Sequence, residues 1–337
     1  MAQAGPLLGN GVYYEIRNAG RKGRGAFALR NISAGTRILI DHPLFVIEKD
    51  EKDIRVDDIL SKLSALSPTA RRHFESLPFA PQYNAAPTDM QHYGRFHLNN
   101  FSMLGTAWGC FVHASRFNNS CLPNCTISQT KNGGLQIFVA RSVSQGEELT
   151  FAYAQTLQYM TTDERQELLR HLLDGSACIC ELCSLPADQR VLSDMRRKII
   201  RHLAFILRDG TDLEGGAPGQ VTSSSFCPHP TFENLSEPAG YFVALAEAEG
   251  IGGLWVWNVY AKGVGELLKH FRTRTRQLPA SVLRTMGTWM RRACDMKAKF
   301  VGTTDVARQA NDDRFDWLTG AVGLLERTGG LLDAVGL

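Results

Sequence analysis

Arg116-Phe117-Asn118-Asn119-Ser120-Cys121-Leu122-Pro123-Asn124 has neither a helical nor a strand period and is crowded with amides, which both donate and accept hydrogen bonds. Taken alone, such a run reads equally well as an Asx-rich surface loop. It lies, however, between the apolar segments Leu104 to Val112 and Leu135 to Val139, which predicts buried polar groups satisfied by one another or by a ligand. Downstream, Gln145-Gly146-Glu147-Glu148-Leu149-Thr150-Phe151-Ala152-Tyr153 reads as a turn and a strand whose last residue is a tyrosine. A tyrosine in that place is ordinarily core filler with its hydroxyl at the rim, so a catalytic role requires partners nearby.

Upstream, Gly20-Arg21-Lys22-Gly23-Arg24-Gly25 suggests a nucleotide loop, because glycines let backbone amides approach a ligand closely. The next four residues, Ala26-Phe27-Ala28-Leu29, read as a strand, whereas dinucleotide and phosphate loops open onto a helix N-terminus. A glycine-rich hairpin turn is therefore the favoured reading. Cys178-Ile179-Cys180-Glu181-Leu182-Cys183 is the most specific signal: three thiolates in so short a loop wrap one zinc ion but leave its fourth position open. Cys110, Cys121, Cys125, Cys227, Cys294, His171 and His229 are candidates for that position, and a cluster of buried free cysteines is the bland alternative.

Around these signals the chain has two textures. Between residues 11 and 153 short apolar runs such as Val12 to Ile16, Ala26 to Leu29, Thr36 to Ile40 and Leu135 to Val139 predict strands. A helical island interrupts them, with Ile59, Leu60, Leu63 and Leu66 at helical spacing after Asp57 and Asp58, and Ser67-Pro68 starting a second unit that reaches Phe74 and Leu77. This predicts an α+β fold. Beyond Cys183 helical periodicity dominates, with Trp257, Tyr260, Val264, Leu267, Leu268 and Phe271 on one face and Val282, Met286, Met290 and Ala293 on another. Residues 209–240 hold 13 Gly, Pro and Ser, which predicts a long loop. The 37 basic and 34 acidic residues run in no long block, so neither a nucleic-acid tail nor a membrane-binding one is expected. The first ten residues lack a signal-peptide pattern and no long uncharged apolar run occurs. An intracellular protein of nucleus or cytoplasm, monomeric and kept in a reducing compartment, is the expectation.

Taken in order, the turn Gly23-Arg24-Gly25, the segment Arg116 to Asn124, the strand Gly146 to Tyr153 and the closing Cys-x-Cys-x-x-Cys resemble the SET-domain protein lysine methyltransferases. The resemblance covers residues 11 to 185. It implies a SET domain over residues 11–155, with a pseudoknot and a helical insertion at about 50–95. It places a post-SET zinc segment over 156–186 and a helical C-terminal domain over 187–337. It further implies S-adenosylmethionine contacts from Lys22, Gly23, Arg24, Gly25, Asn118, Asn119 and Tyr153, with Tyr153 catalytic and Asn99, in Asn99-Asn100-Phe101-Ser102, matching another cofactor asparagine. The fourth zinc ligand in that family belongs to the pseudoknot, which selects Cys121 beside Cys178, Cys180 and Cys183. The insertion and tail resemble the SET-and-MYND branch and its fungal relatives; with no cysteine before Cys110, the MYND finger is not expected. The implied reaction is methyl transfer to a lysine amine of a histone or other protein.

Two departures from the family pattern stand out. Asn119 replaces the usual histidine, and Asp174 and Ser176 stand where relatives place aromatics that line the lysine channel. Asp174 and Ser176 motivate a second reading, a catalytically weak or inactive scaffold that binds cofactor or a partner, unless a loop shift brings Tyr159 into the gap. A third reading, a zinc-dependent interaction module, leaves Arg116 to Asn124 and Tyr153 without a role.

Overall fold

The computed structural model describes residues 10–103, 105–130, 132–173, 175–207 and 232–251. In chain order its strands and helices are β1 (Tyr14–Asn18), β2 (Arg24–Ala28), β3 (Arg37–Asp41), β4 (Phe45–Ile47), α1 (Val56–Ser64), α2 (Pro68–Glu75), α3 (Thr88–Leu98), β5 (Asn100–Ser102), β6 (Trp108–Cys110), β7 (Asn118–Asn119), β8 (Cys125–Gln129), β9 (Leu135–Val139), β10 (Glu148–Phe151), α4 (Thr162–Leu172), α5 (Ala187–Leu207) and α6 (Phe232–Ala248). The strands form three sheets, in the orders β1-β2-β10-β7, β3-β9-β8 and β4-β6-β5. The α+β reading holds at this level.

Each sheet follows from its side-chain pattern. In β1 Tyr14 is buried while Glu15 and Arg17 face solvent, the alternation of a strand with one covered face. β9 is buried at every position because β3 and β8 flank it on both edges. One core gathers Tyr14, Ile38, Leu39, Phe111, Phe117, Ile137 and Leu149. A second gathers Phe45, Ile59, Leu63, Phe74 and Phe96, so the insertion carries its own core over β4-β6-β5. Burial of each such side chain stabilises by about 1.5–3 kcal/mol. In α1, Ile59 and Leu63 share the buried face and Asp58 accepts from the Arg55 N–H at 2.9 Å. In α2, the Ser67 hydroxyl accepts from the Ala70 N–H at 3.2 Å, with Pro68 in the first helical turn.

By proximity along the backbone the described residues form two units, one of 10–153 and 166–178, the other of 154–165, 179–207 and 232–251. In the second, α5 and α6 are neighbours. The Glu249 carboxylate accepts from Ser193 Oγ at 2.5 Å and Arg196 Nη1 at 3.1 Å. The buried Arg197 lies 3.4 Å from the same carboxylate. α6 takes the end of the segment read as loop: Pro238 and Gly240 lie inside a helix that continues through Phe242, Val243 and Ala246, all buried. Composition over a window missed the apolar period that starts within it. The periodic stretches at Trp257–Phe271 and Val282–Ala293, with Cys227, His229 and Cys294, lie outside the described residues. Among the described residues no helix is long and apolar enough to cross a membrane.

Candidate active site

The amide-rich run is buried polar structure. Asp41, at the end of β3, accepts from the N–H groups of His113 and Ala114 at 2.9 Å each and so caps the 3-10 turn Ala114–Arg116 that leads into the run. Phe117 then anchors it in the core, edge-on to Tyr14 with ring centroids 5.0 Å apart. Next, β7 pairs parallel with β10, Asn118 opposite Thr150 and Asn119 opposite Phe151. Parallel pairing of two residues far apart in sequence needs a long crossover, and the chain between them supplies it. Asn124 closes the run: its Nδ2 donates to the Glu148 carbonyl at 2.7 Å and Glu147 Oε1 at 3.1 Å, and its Oδ1 accepts from Thr150 N at 2.8 Å. These amides bond to Glu147, Glu148 and the backbone of β10 and Tyr153 instead of to one another, in a run that is largely buried as the apolar flanks predicted.

This pairing fixes Tyr153. Its backbone N–H donates to Asn119 Oδ1 at 2.9 Å and its hydroxyl to the Phe117 carbonyl at 3.3 Å, with the residue as a whole 38% exposed. Burial of the hydroxyl end, followed by the negative charge of Glu148, pushes the phenol up to about 12. Tyr153 is therefore neutral at physiological pH. The other amide group of Asn119, Nδ2, faces Cys178 Sγ at 3.6 Å.

The glycine turn is a hairpin turn. Residues Gly20–Lys22 form a 3-10 turn between β1 and β2, closed by the Gly23 N–H donating to the Gly20 carbonyl at 3.0 Å, and Gly23 has a left-handed φ of 77°. A Cβ on Gly25 would lie 2.7 Å from Glu148 Oε1 and 2.8 Å from Asn118 Nδ2, so only glycine leaves the cradle formed there open. Asn118 Nδ2 donates to Glu148 Oε1 at 2.8 Å and lies 3.3 Å from the Arg24 carbonyl, and Lys22 Nζ pairs with Glu148 Oε2. Lys22, Gly25 and Asn118 thus meet at one carboxylate that the sequence pattern did not single out.

Cys121, Cys178, Cys180 and Cys183 are all buried, with their sulfurs within 4.8 Å of one another. Cys121 Sγ and Cys178 Sγ are 3.9 Å apart, too far for a disulfide and close to the ~3.8 Å edge of a tetrahedron with zinc–sulfur distances of about 2.3 Å. Gln166, on α4, holds the Cys178 backbone from both sides, its Nε2 donating to the carbonyl at 3.0 Å and its Oε1 accepting from the N–H at 2.8 Å. No sequence signal marked Gln166. Cys110 and Cys125 stand apart from the cluster, and burial pushes both thiols well above the ordinary cysteine range, where they stay protonated and inert.

Residues 23–154 match the SET domain family. This SET segment begins at the glycine turn and ends just past Tyr153, so it contains the crossed β7 and β10 and stops short of Cys178. Histone-lysine N-methyltransferase set5 of Schizosaccharomyces pombe is 32% identical over 190 residues, covering 55% of this chain and 55% of the yeast protein. Histone-lysine N-methyltransferase SET5 of Meyerozyma guilliermondii is 32% identical over 103 residues, 30% of this chain and 20% of that protein. Its namesake from Scheffersomyces stipitis is 32% identical over 92 residues, 27% and 18% of the two chains. The chain therefore spans about half the length of the first relative and a fifth or less of the other two.

Within the SET segment Asn99 stands away from the glycine turn in its bonding. Its Nδ2 donates to the carbonyls of Pro78 at 2.8 Å and Arg95 at 2.7 Å, so both amide hydrogens are engaged inside the insertion and only Oδ1 is left for a cofactor. Neighbouring carbonyls are taken in the same way, Leu77 by Arg95 Nε at 2.8 Å and Ser76 by Arg116 Nη2 at 2.9 Å. Beyond the SET segment, Ser176 is exposed and Tyr159 is buried, whereas Asp174 and the side chain of His171 lie outside the described residues.

Proposed function

We propose that this chain transfers a methyl group from S-adenosylmethionine to the side-chain amine of a lysine in a protein substrate, a histone being the class suggested by its named relatives. The observation that carries the reading is the parallel β7–β10 pairing, which delivers Tyr153 onto Asn119 within a SET segment. S-adenosylmethionine supplies the methyl on a sulfonium centre. Lys22 to Gly25 with Asn118 and Asn119 would hold its amino acid end, an assignment supported by the cradle at Gly25. Asn99 would add a contact through Oδ1. Tyr153, held neutral, acts as a hydrogen-bonding group that orients the amine and not as an anionic base. Removal of the lysine proton is favoured where a water-poor channel disfavours the ammonium.

Cys121, Cys178, Cys180 and Cys183 would bind one structural zinc, a reading supported by four convergent buried sulfurs. Division of the chain into a SET domain (11–155), a post-SET segment (156–186) and a helical C-terminal domain is part of the proposal, as is kinship with the SET-and-MYND branch, for which the helices of the insertion speak. Methyl transfer from radiolabelled cofactor onto histones and a cell extract, with wild type beside Tyr153→Phe, tests the reading. Labelling that requires Tyr153 supports it; cofactor binding without labelling of any protein identifies the scaffold instead.

A further inference from the structure

Asn119 holds Tyr153 at one end of its side-chain amide and the cysteine cluster at the other. It is buried at the end of β7, where Oδ1 accepts from the Tyr153 N–H at 2.9 Å and Nδ2 donates to Cys178 Sγ at 3.6 Å. A backbone N–H can only donate, so the oxygen end of the amide belongs at Tyr153 and the nitrogen end is left for the sulfur. A metal-bound thiolate, with lone pairs and no proton, is the acceptor this arrangement asks for. The inverted amide would set donor against donor at Tyr153 and acceptor against acceptor at Cys178, so both neighbours decide its orientation together. Neither neighbour is loose. Gln166 bonds the Cys178 carbonyl at 3.0 Å and its N–H at 2.8 Å, while Tyr153 is held at its backbone by Asn119 and at its hydroxyl by the Phe117 carbonyl. Gln166, Cys178, Asn119 and Tyr153 all lie in the first of the two units.

We propose that Asn119 is a positioning residue through which the metal-holding state of Cys178 sets Tyr153, with Gln166 a second positioning residue that keeps the sulfur in place. The proposal rests on the methyl-transfer reading and gives the cysteine cluster a bearing on the reaction beyond its structural one. While Cys178 holds a metal, its sulfur stays within reach of Nδ2 and Oδ1 stays aimed at the Tyr153 N–H. Once the metal is withdrawn, the sulfur can change rotamer and the amide loses one of the two partners that orient it. The phenol then sits off line, and a displacement of about 1 Å costs up to roughly 100-fold in rate. Cofactor binding is spared, because Nδ2 keeps a second hydrogen and Oδ1 a second lone pair for the contact given to Asn119.

The test loads the protein with cobalt(II), whose thiolate charge-transfer band in the near ultraviolet reports on the sulfurs, and follows methyl transfer from S-adenosylmethionine to histones. Wild type is compared with Asn119→Asp, Gln166→Leu and Tyr153→Phe. Asn119→Asp keeps an acceptor for the Tyr153 N–H but offers no hydrogen to Cys178. Its band should shift, a chelator should strip its cobalt about tenfold more readily, and kcat should fall about tenfold with KM for S-adenosylmethionine within about twofold of wild type. Gln166→Leu, which touches neither Asn119 nor Tyr153, should show the same changes and carries the test should Asn119→Asp fold poorly. Tyr153→Phe should lose activity and keep the wild-type band. A shifted band with unchanged kcat in both positioning variants overturns the coupling and leaves Asn119 a structural partner of the cluster. A fall in kcat with an unshifted band overturns it too, as does wild type that takes up no cobalt. Wild type that binds cobalt but labels no histone and no protein of a cell extract overturns the methyl-transfer reading itself.

Discussion

Asn119 accepts the backbone N–H of Tyr153, a residue 34 positions further along the chain, through its side-chain oxygen at 2.9 Å. This bond continues the β7–β10 pairing past the last strand residue with a side chain in place of a backbone carbonyl. It sets where the phenol begins. Asn119 thus accepts with Oδ1 at Tyr153 and presents Nδ2 to Cys178 Sγ, joining the tyrosine to the cysteine cluster through one side chain.

Replacing Tyr153 by phenylalanine removes the hydroxyl but leaves the ring against Phe151. Methyl transfer should fall by about 100-fold or more, roughly 2.7 kcal/mol in barrier, with melting temperature and cofactor affinity nearly unchanged. Asn119→Ala should behave differently, destabilising by about 1–3 kcal/mol because the Tyr153 N–H loses its acceptor. Denaturant titration beside initial-rate assays separates the two.

Elemental analysis should find one zinc per chain, and Cys121→Ser should lower both the zinc content and the melting temperature. Cys110→Ser and Cys125→Ser, outside the cluster, should keep the metal. Full zinc retention in the Cys121 variant would show that another ligand closes the site.

Gly25→Ala places a methyl within 3 Å of Glu148 and Asn118. Folding can absorb part of this by moving the flexible end of Glu148, but the cradle closes. S-adenosylhomocysteine affinity should therefore drop at least tenfold while the far-ultraviolet circular dichroism stays that of wild type. Unaltered affinity would place the cofactor elsewhere.

His92 and His97, both on α3, are held below the ordinary histidine range, chiefly by burial. The Arg95 guanidinium, whose Nη1 lies 3.1 Å from His92 Nδ1, adds to this at His92, where the neutral ring must accept. Glu51, 3.9 Å from His97, opposes it there. The folded state thus resists protonation that the unfolded state accepts. Stability is complete above the unfolded value of about 6.5 and is lost as pH falls from there through the depressed folded values, by up to about 1.4 kcal/mol per pH unit for each histidine. Melting temperature should drop between pH 7.5 and 5.5, and His92→Phe should flatten the drop; an equally steep profile in that variant rules out His92 as a source.

Much of this site was legible in the sequence because its chemistry is local. The Gly20–Gly25 hairpin, the strand before Tyr153 and the cysteine triplet are each decided within a few residues, where turn geometry and ligand spacing act. The amide-rich run was legible only in outline: its flanks showed that it is buried, but which amide meets which partner depends on parallel pairing between distant segments. Glu148 was passed over for the same reason. Nothing in Gly-Glu-Glu-Leu distinguishes the glutamate that faces Asn124 from the one that faces Lys22. Asn99, which the resemblance named for the cofactor, was likewise legible only in part, since the sequence does not show that its amide donors serve helix and loop carbonyls. Gln166 belongs to an amphipathic helix on which a glutamine is ordinarily solvent-facing.

Ser76, Leu77 and Pro78 offer three consecutive carbonyls to Arg116, Arg95 and Asn99. Because the acceptors are backbone atoms, the latch does not ask which side chains stand at those three positions, apart from the bond that Arg116 also makes to Ser76 Oγ. Substitutions at the exposed Pro78 should therefore be absorbed, whereas Leu77 must stay apolar because it is buried in the core of the insertion, and a change in length would slip every carbonyl past its donor. The exposed Pro78 is thus the position open to engineering, and an insertion or deletion of one residue there would be felt at Arg116, where the run toward Tyr153 begins.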